Sequence, residues 1–349
     1  MRTFARPEPD SDRQIAALDS LFEIAGLVRQ PRSKAAVGTR RKRRETQEKS
    51  DLTRIAPEPQ MAANGVRWLP VLAWEELDWL WHGFSTRQGG RSRAYCPEDG
   101  QSELNLGFTA EDEREIVIGN RRLLAEGVTG NAATPLAAIR QIHSAHVVRA
   151  SAVPDKPPKA DGQMTDVPGL LLAVQTADCI PVLVADRRRR VVAAFHAGWR
   201  GTVKRIVEAG VGRMRLEFGS RPADLVAAIG PGVGACCYAV GEEVLSEFES
   251  QFTYASDLFC EVDDADAVRR KYPMLFLTQR APGHSPIGPS LHLDLTEANR
   301  RQLMAAGVRA RAIQMVGGCT SCQPEMFFSH RAQQGRTGRM MSVIGIRPA

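Results

Sequence analysis

The sequence predicts an α+β fold, a single large domain in which helices cover mixed β-sheets. Three observations predict it. Apolar, strand-like runs occur at 170–174, 181–185, 191–195, 225–229 and 312–316. Amphipathic helical patterns occur at 111–126, 202–216, 241–252 and 296–306. The two kinds intermix without the strict strand–helix–strand alternation of a parallel α/β sheet.

Each element has a local reason. The pattern over 202–216 places Val203, Ile206, Val207, Val211 and Met214 on one face, and Gly219 stands just past its end as a stop. The pattern over 296–306 is preceded by Asp294, with Glu297 three residues on, which is a capping-box-like start; Gly307 closes it. The Pro- and Lys-rich stretch 153–159 reads as a surface loop. No low-complexity linker or internal repeat interrupts 61–349, which is taken as one domain.

Residues 1–60 have another texture. They contain no Cys, Trp, Tyr or His and carry Arg40, Arg41, Lys42, Arg43 and Arg44 in a row. Such composition buries too little apolar surface to offset its ordering entropy. A basic, disordered N-terminal extension is expected, with one amphipathic helix over 15–28. At Met61 the composition changes, and Trp68, Trp74, Trp79 and Trp81 follow closely. The functional protein is expected to start near Met61.

Composition narrows the function classes. Of 349 residues, 43% are hydrophobic and 25% charged, ordinary for a globular protein. No run approaches the ~18 apolar residues that cross a bilayer, and no secretory leader pattern opens the chain. A cytoplasmic protein with no membrane partner is expected. Seven cysteines at irregular spacing read as reduced thiols rather than a disulfide framework. The net charge is +6, but residues 1–60 hold 13 Lys/Arg against 9 Asp/Glu, so most of the excess is theirs. No aromatic residues interleave the basic run as a nucleic-acid groove requires, so no nucleic-acid partner is expected.

Three segments carry chemistry: Arg140-Gln141-Ile142-His143, Thr176-Ala177-Asp178-Cys179-Ile180-Pro181 and Phe195-His196-Ala197-Gly198-Trp199-Arg200-Gly201. Each puts a potential metal ligand at the end of a strand-like run, a rigid position facing loops. Two imidazoles and one thiolate suit zinc, and three protein ligands leave a fourth tetrahedral place for water or substrate. The spacings of 36 and 17 residues are too wide for a zinc finger. Asp178 is positioned to orient a ligand or carry a proton. Gly198 and Gly201 before a helix opening at Thr202, with Arg200 beside them, suit a phosphate or simply a tight turn. Arg87 in the 83–90 block and Arg339 in Gly335-Arg336-Thr337-Gly338-Arg339 are further guanidinium candidates for an anion, and surface turns otherwise. Cys319 and Cys322 alone give two ligands, too few for structural zinc, and are read as structural or adventitious. Cys236, Cys237, Cys96 and Cys260 show no partner logic, and His82, His146, His284 and His292 give no specific signal.

The blocks together are GFSTRQGG (83–90), NLG (105–107), RQIH (140–143), ADGQMT (160–165), TADCIP (176–181), FHAGWRG (195–201), IGPGVGACCYAVG (229–241), LDL (293–295), FFSHR (327–331) and GRTGR (335–339). In number and order they resemble the family long labelled multicopper polyphenol oxidase or laccase-like. Its members are now described as zinc-dependent purine nucleoside phosphorylases with adenosine deaminase activity. Some bacterial members are instead described as peptidoglycan editing factors. The resemblance implies that His143, Cys179 and His196 are the zinc ligands. It also implies phosphorolysis of adenosine, inosine, guanosine and methylthioadenosine, and hydrolytic deamination of adenosine. One departure is His330, where the family usually shows Tyr.

The oxidase label does not fit the histidines. A blue multicopper site needs several His-x-His pairs, and this chain has seven histidines and no such pair. A single copper on His143, Cys179 and His196 stays an alternative, because that donor set also suits blue copper. Deamination would need an activated water near purine C6, with Asp178 as proton carrier. Phosphorolysis would need phosphate near ribose C1′, held by Arg200, the helix start at Thr202, and Arg87 or Arg339. The rival classes are a metal-free hydrolase with Cys179 as nucleophile and His143 or His196 as base, and a binding protein whose zinc is only structural.

Overall fold

A computed structural model describes residues 58–96, 100–262 and 289–348. The expected helix over 15–28 and the expected disorder up to residue 57 lie outside the described residues. At the boundary, Gln60 already pairs with Trp68.

Two six-stranded sheets form the frame. The first runs, edge to edge, β1 (Gln60–Met61), β2 (Arg67–Leu69), β3 (Leu80–Ser85), β15 (Met340–Ile346), β8 (Leu171–Thr176) and β5 (Leu136–Ala138). The second runs β14 (Ile313–Met315), β11 (Leu225–Ile229), β9 (Ile180–Asp186), β10 (Val191–Ala197), β7 (Gly162–Thr165) and β6 (Val147–Arg149). Pairing is mixed: β9, β10 and β15 are antiparallel to their neighbours, whereas β5 joins β8, β6 joins β7 and β14 joins β11 in parallel. Outside these two sheets lie β4 (Gln88–Ser92), β12 (Phe259–Val262) and β13 (Ser290–Leu293).

The sheets pack face to face, and strand alternation shows it. On β8, Leu172 and Val174 enter a core shared with Leu183 and Ala185 of β9 and Val192 and Ala194 of β10. Leu171 and Ala173, one residue out of phase, enter a second core with Met341 and Val343 of β15 and with Leu124 and Ala125. Leu124 and Ala125 belong to α1 (Arg114–Thr129), which covers the outer face of the first sheet and stops at Gly130, φ +80°. The outer face of the second sheet is covered by α3 (Ile206–Phe218), introduced by the short α2 (Trp199–Val203). A Cβ on Gly210 of α3 would lie 2.3 Å from the Phe195 ring of β10, so the glycine permits the close helix–sheet approach. Among the described residues the remaining α-helices are α4 (Glu242–Gln251) and α5 (Leu295–Ala305). This is the α+β architecture of mixed sheets under helices that the patterns predict.

The chain divides into two compact units. The larger, 53–239, 243–260 and 292–349, contains both six-stranded sheets. The smaller, 1–52, 240–242 and 261–291, has few described residues. Among the described residues no helix is long and apolar enough to cross a membrane.

Three expectations need correcting. The pattern over 202–216 is not one helix: α2 ends after five residues, and Arg205 turns left-handed (φ +60°) before α3 begins. The apolar face continues across the break, so periodicity does not reveal it. The central strand β15 is absent from the sequence prediction because Ser342 and Gly345 interrupt its apolar run. Finally, Cys319 and Cys322 do have a second pair: their sulfurs and those of Cys236 and Cys237 all lie within 4.8 Å of one another. The pattern that did hold in detail is the start of α5, where the Asp294 carboxylate accepts from the Glu297 amide at 2.9 Å.

Candidate active site

His143, Cys179 and His196 converge, with one ligand atom of each within 4.8 Å of the others. Strand register brings them there. Cys179 lies in the turn by which the chain leaves β8 of the first sheet for β9 of the second. His196 sits on β10 opposite Pro181 of β9, two residues beyond Cys179. The segment holding His143 follows β5, which pairs with β8. Cys179 Sγ is 3.9 Å from His143 Nε2, and the two imidazole centroids are 4.9 Å apart.

The backbone is strained where it presents these groups. His143 has φ +56° and Asp178 has φ +92°, left-handed values that cost L-residues energy and persist only when surroundings enforce them. At His143 the enforcing group is Asp161, fully buried. Its carboxylate accepts from the amides of Ile142, His143 and Ser144 at 2.6–3.2 Å and from the Ser144 hydroxyl at 2.7 Å. The same carboxylate lies 2.9 Å from His196 Nδ1. One side chain therefore shapes the loop of the first histidine and orients the ring of the second. With Nδ1–H donating to Asp161, the Nε2 lone pair of His196 is left for a metal.

The charges agree. Burial opposes a charged Asp161, but hydrogen bonds from His196 and Ser144 outweigh it and hold the carboxyl well below its usual range. Burial likewise opposes a thiolate at Cys179, yet the His196 charge and the His143 hydrogen bond draw the thiol down. The His196 ring is raised against its burial by Cys179 and Asp161. A thiolate is the form in which cysteine binds metal, and metal uptake at such a set would displace the imidazole proton.

There is also room. A Cβ on Gly198 would stand 2.9 Å from His143 Cδ2 and 3.0 Å from Cys179 Sγ, so a residue without a side chain is needed there. The donor set and its spread fit a tetrahedral ion with three protein ligands. The three residues also line a cavity of about 1230 Å³, so a metal held there would be open to small molecules.

The other predicted residues fare differently. Arg339 lines the cavity, held through its backbone amide by Asn105 and through its guanidinium by the carbonyls of Thr337 and Gly338. Asp178 lines it too, 8% exposed, but its oxygens accept from the Thr320 hydroxyl and the Arg331 amide, both at 2.6 Å. That places it as a tie between loops. Arg200 is exposed, lies over the Trp199 ring at 4.4 Å, and is not among the cavity-lining residues. The α2 helix it belongs to is five residues long, too short for a helix-dipole anion site. Arg87 does not reach the cavity at all. It is 9% exposed, paired with Glu103 at 2.6 Å, bonded to the Pro324 carbonyl and stacked on Phe328.

Sequence reasoning missed two residues. Asp161 stood in the ADGQMT block without a role, because the amides it holds lie 17–19 positions away and no local pattern marks them. Arg121 also lines the cavity. Its Nε donates to the Leu106 carbonyl, its guanidinium lies over Phe108, and its buried Nη2 has no hydrogen-bond partner. Arg121 and Arg339 thus flank the NLG turn at 105–107. With Arg140, Lys156 and Arg331 they make the cavity strongly basic.

Known proteins resemble this chain in sequence and in fold. The family model described as multi-copper polyphenol oxidoreductase laccase matches residues 81–347. "Purine nucleoside phosphorylase" of Deinococcus radiodurans is 37% identical over 265 residues, 76% of this chain and 88% of that protein. "Purine nucleoside phosphorylase YlmD" of Geobacillus stearothermophilus is 34% identical, over 76% of this chain and 89% of the relative. The crystal structure of YlmD from Geobacillus stearothermophilus matches with a TM-score of 0.67 at 31% identity, covering 84% of this chain and all of that one.

Proposed function

The chain belongs to the multi-copper polyphenol oxidoreductase laccase family, and on that premise we propose that it is a zinc-dependent purine nucleoside phosphorylase that also deaminates adenosine. One observation carries the reading: two imidazoles and a thiolate open onto a basic, aromatic-lined cavity. Relatives at 34% and 37% identity bear the phosphorylase name.

His143, Cys179 and His196 would hold the metal, which when bound supplies Lewis acidity at its free position. The chain's own groups do the rest. Asp161 keeps the His196 tautomer and ring plane fixed. Arg121 and Arg339 face the cavity from either side of the NLG turn and grip phosphate by charge-assisted hydrogen bonds. The rings of Trp199 and Tyr238 on the cavity wall give the purine apolar surface to pack on. In phosphorolysis a phosphate oxygen bonds to ribose C1′ as the bond to purine N9 breaks, and the departing base takes a proton. In deamination, water adds at C6 and ammonia leaves. Asp178 is assigned as a positioning residue that fastens the Cys179 turn.

The lowered Cys179 thiol gives a second reading some ground: a metal-free nucleophile beside His143 and His196. Product analysis separates the two. Adenosine incubated with the protein is expected to release adenine and ribose 1-phosphate only when phosphate is present, and inosine without it. A chelated protein is expected to do neither. Base release that ignores phosphate, or activity that survives metal removal, overturns the proposal.

A further inference from the structure

We propose that Cys236, Cys237, Cys319 and Cys322 form a second, structural metal site, a tetrathiolate zinc centre separate from the His143–Cys179–His196 site. All four sulfurs lie within 4.8 Å of one another. Cys322 Sγ is 3.5 Å from Cys236 Sγ and 3.4 Å from Cys237 Sγ. A tetrahedral zinc with Zn–S of about 2.3 Å needs sulfurs about 3.8 Å apart, so small shifts close this set around an ion.

Disulfides fit the same atoms less well. A disulfide needs sulfurs about 2.05 Å apart, and Cys322 stands almost equally far from two thiols without selecting either. Four thiols around one point, two from each loop, are what a closed metal site requires.

The loops are built to present sulfur. The amides of Cys237 and Tyr238 both donate to the Gly234 carbonyl, a tight turn that gathers two consecutive cysteines. The Gly234 amide donates to Cys319 Sγ at 3.2 Å, as backbone amides do to a metal-bound thiolate. A Cβ on Gly234 would crowd Cys236 Sγ and Cys319 Cβ, both at 3.2 Å. Gly232 bridges Cys319 in parallel, and the Thr320 amide donates to the Gly232 carbonyl at 3.0 Å.

What the site would staple is the back of the active site. Thr320, between two of the thiols, donates to the Asp178 carboxylate. The Val233 amide donates to the Asp178 carbonyl at 2.8 Å. Both loops therefore grip the strained residue that precedes Cys179. Joining them through one ion lowers the entropy of the open loops and preorganises that turn.

Elemental analysis of the desalted chain tests this, read without turnover. Wild type is expected to carry two zinc ions per chain, Cys179→Ala one and Cys322→Ser one. Cobalt-loaded Cys179→Ala is expected to show intense sulfur-to-cobalt charge transfer, which keeps the test open should Cys322→Ser misfold. Cys179→Ala without metal, Cys322→Ser with undiminished metal, or a disulfide among the four thiols by non-reducing mass analysis would each overturn the proposal. Loss of the catalytic site alone leaves the Cys179→Ala count at one, so the two proposals fail separately.

Discussion

Asp161 caps three successive amides before and after His143 and fixes the His196 ring. In Asp161→Asn one acceptor oxygen becomes an NH₂ group facing backbone donors, and the support of the His196 ring weakens. The zinc affinity is expected to fall about 10–100-fold, the usual effect of losing such an outer partner, measured by competition with a chromophoric chelator. Arg121 is the matching residue for the co-substrate. A charged hydrogen bond from its guanidinium to phosphate in the cavity is worth about 1.5–3 kcal/mol, so Arg121→Gln is expected to raise the KM for phosphate about tenfold or more. Steady-state kinetics at varied phosphate checks it; an unchanged KM removes Arg121 from the phosphate site.

At the scale of elements, the junction of β10 and α2 matters most. Gly198 lies between the strand that carries His196 and a helix of one short turn, and its missing side chain is the space His143 and Cys179 share. Gly198→Ala puts a Cβ 2.9 Å from His143 Cδ2 and 3.0 Å from Cys179 Sγ. The expected result is loss of bound metal with the far-UV circular dichroism unchanged, because neither the strand nor α3 depends on that position. Full metal occupancy in this variant would contradict the close approach. The left-handed Arg205 has a related role: it breaks the helix so that α3 can lie on the sheet while α2 turns toward the cavity with Trp199.

For the whole molecule, acid stability has an identifiable source in the first sheet. His82 on β3 lies edge-on to Trp74. Burial, with the Arg347 charge, pushes its pKa down from 6.5 to about 4. Above pH 6.5 neither folded nor unfolded chain binds this proton. Between 6.5 and about 4 only the unfolded chain does, so stability falls as pH falls, by about 1.4 kcal/mol per unit. The total is on the order of 3 kcal/mol. His82→Gln is expected to flatten the denaturation-derived stability across that window relative to wild type, whatever its offset at neutral pH. Parallel curves for the two proteins would assign the acid sensitivity elsewhere.

The sequence by itself determined the local periods and the donor types available. Alternating and continuous apolar runs marked β8, β9, β10 and β11, Asp294 and Glu297 marked the start of α5, and His143, Cys179 and His196 were legible as donors at strand ends. Tertiary structure decided which groups meet. Arg87 and Arg339 look alike in sequence, yet Glu103 consumes the one inside the protein and the other faces the cavity. Asp161 gains its role only because β7 lies beside β10 and brings it to His196. The thiols of Cys236 and Cys322, 86 positions apart, meet because two loops return to the same strand ends. The physical reason is range: a side-chain period is written within one turn or pleat, whereas convergence depends on sheet register and loop closure summed over the whole chain.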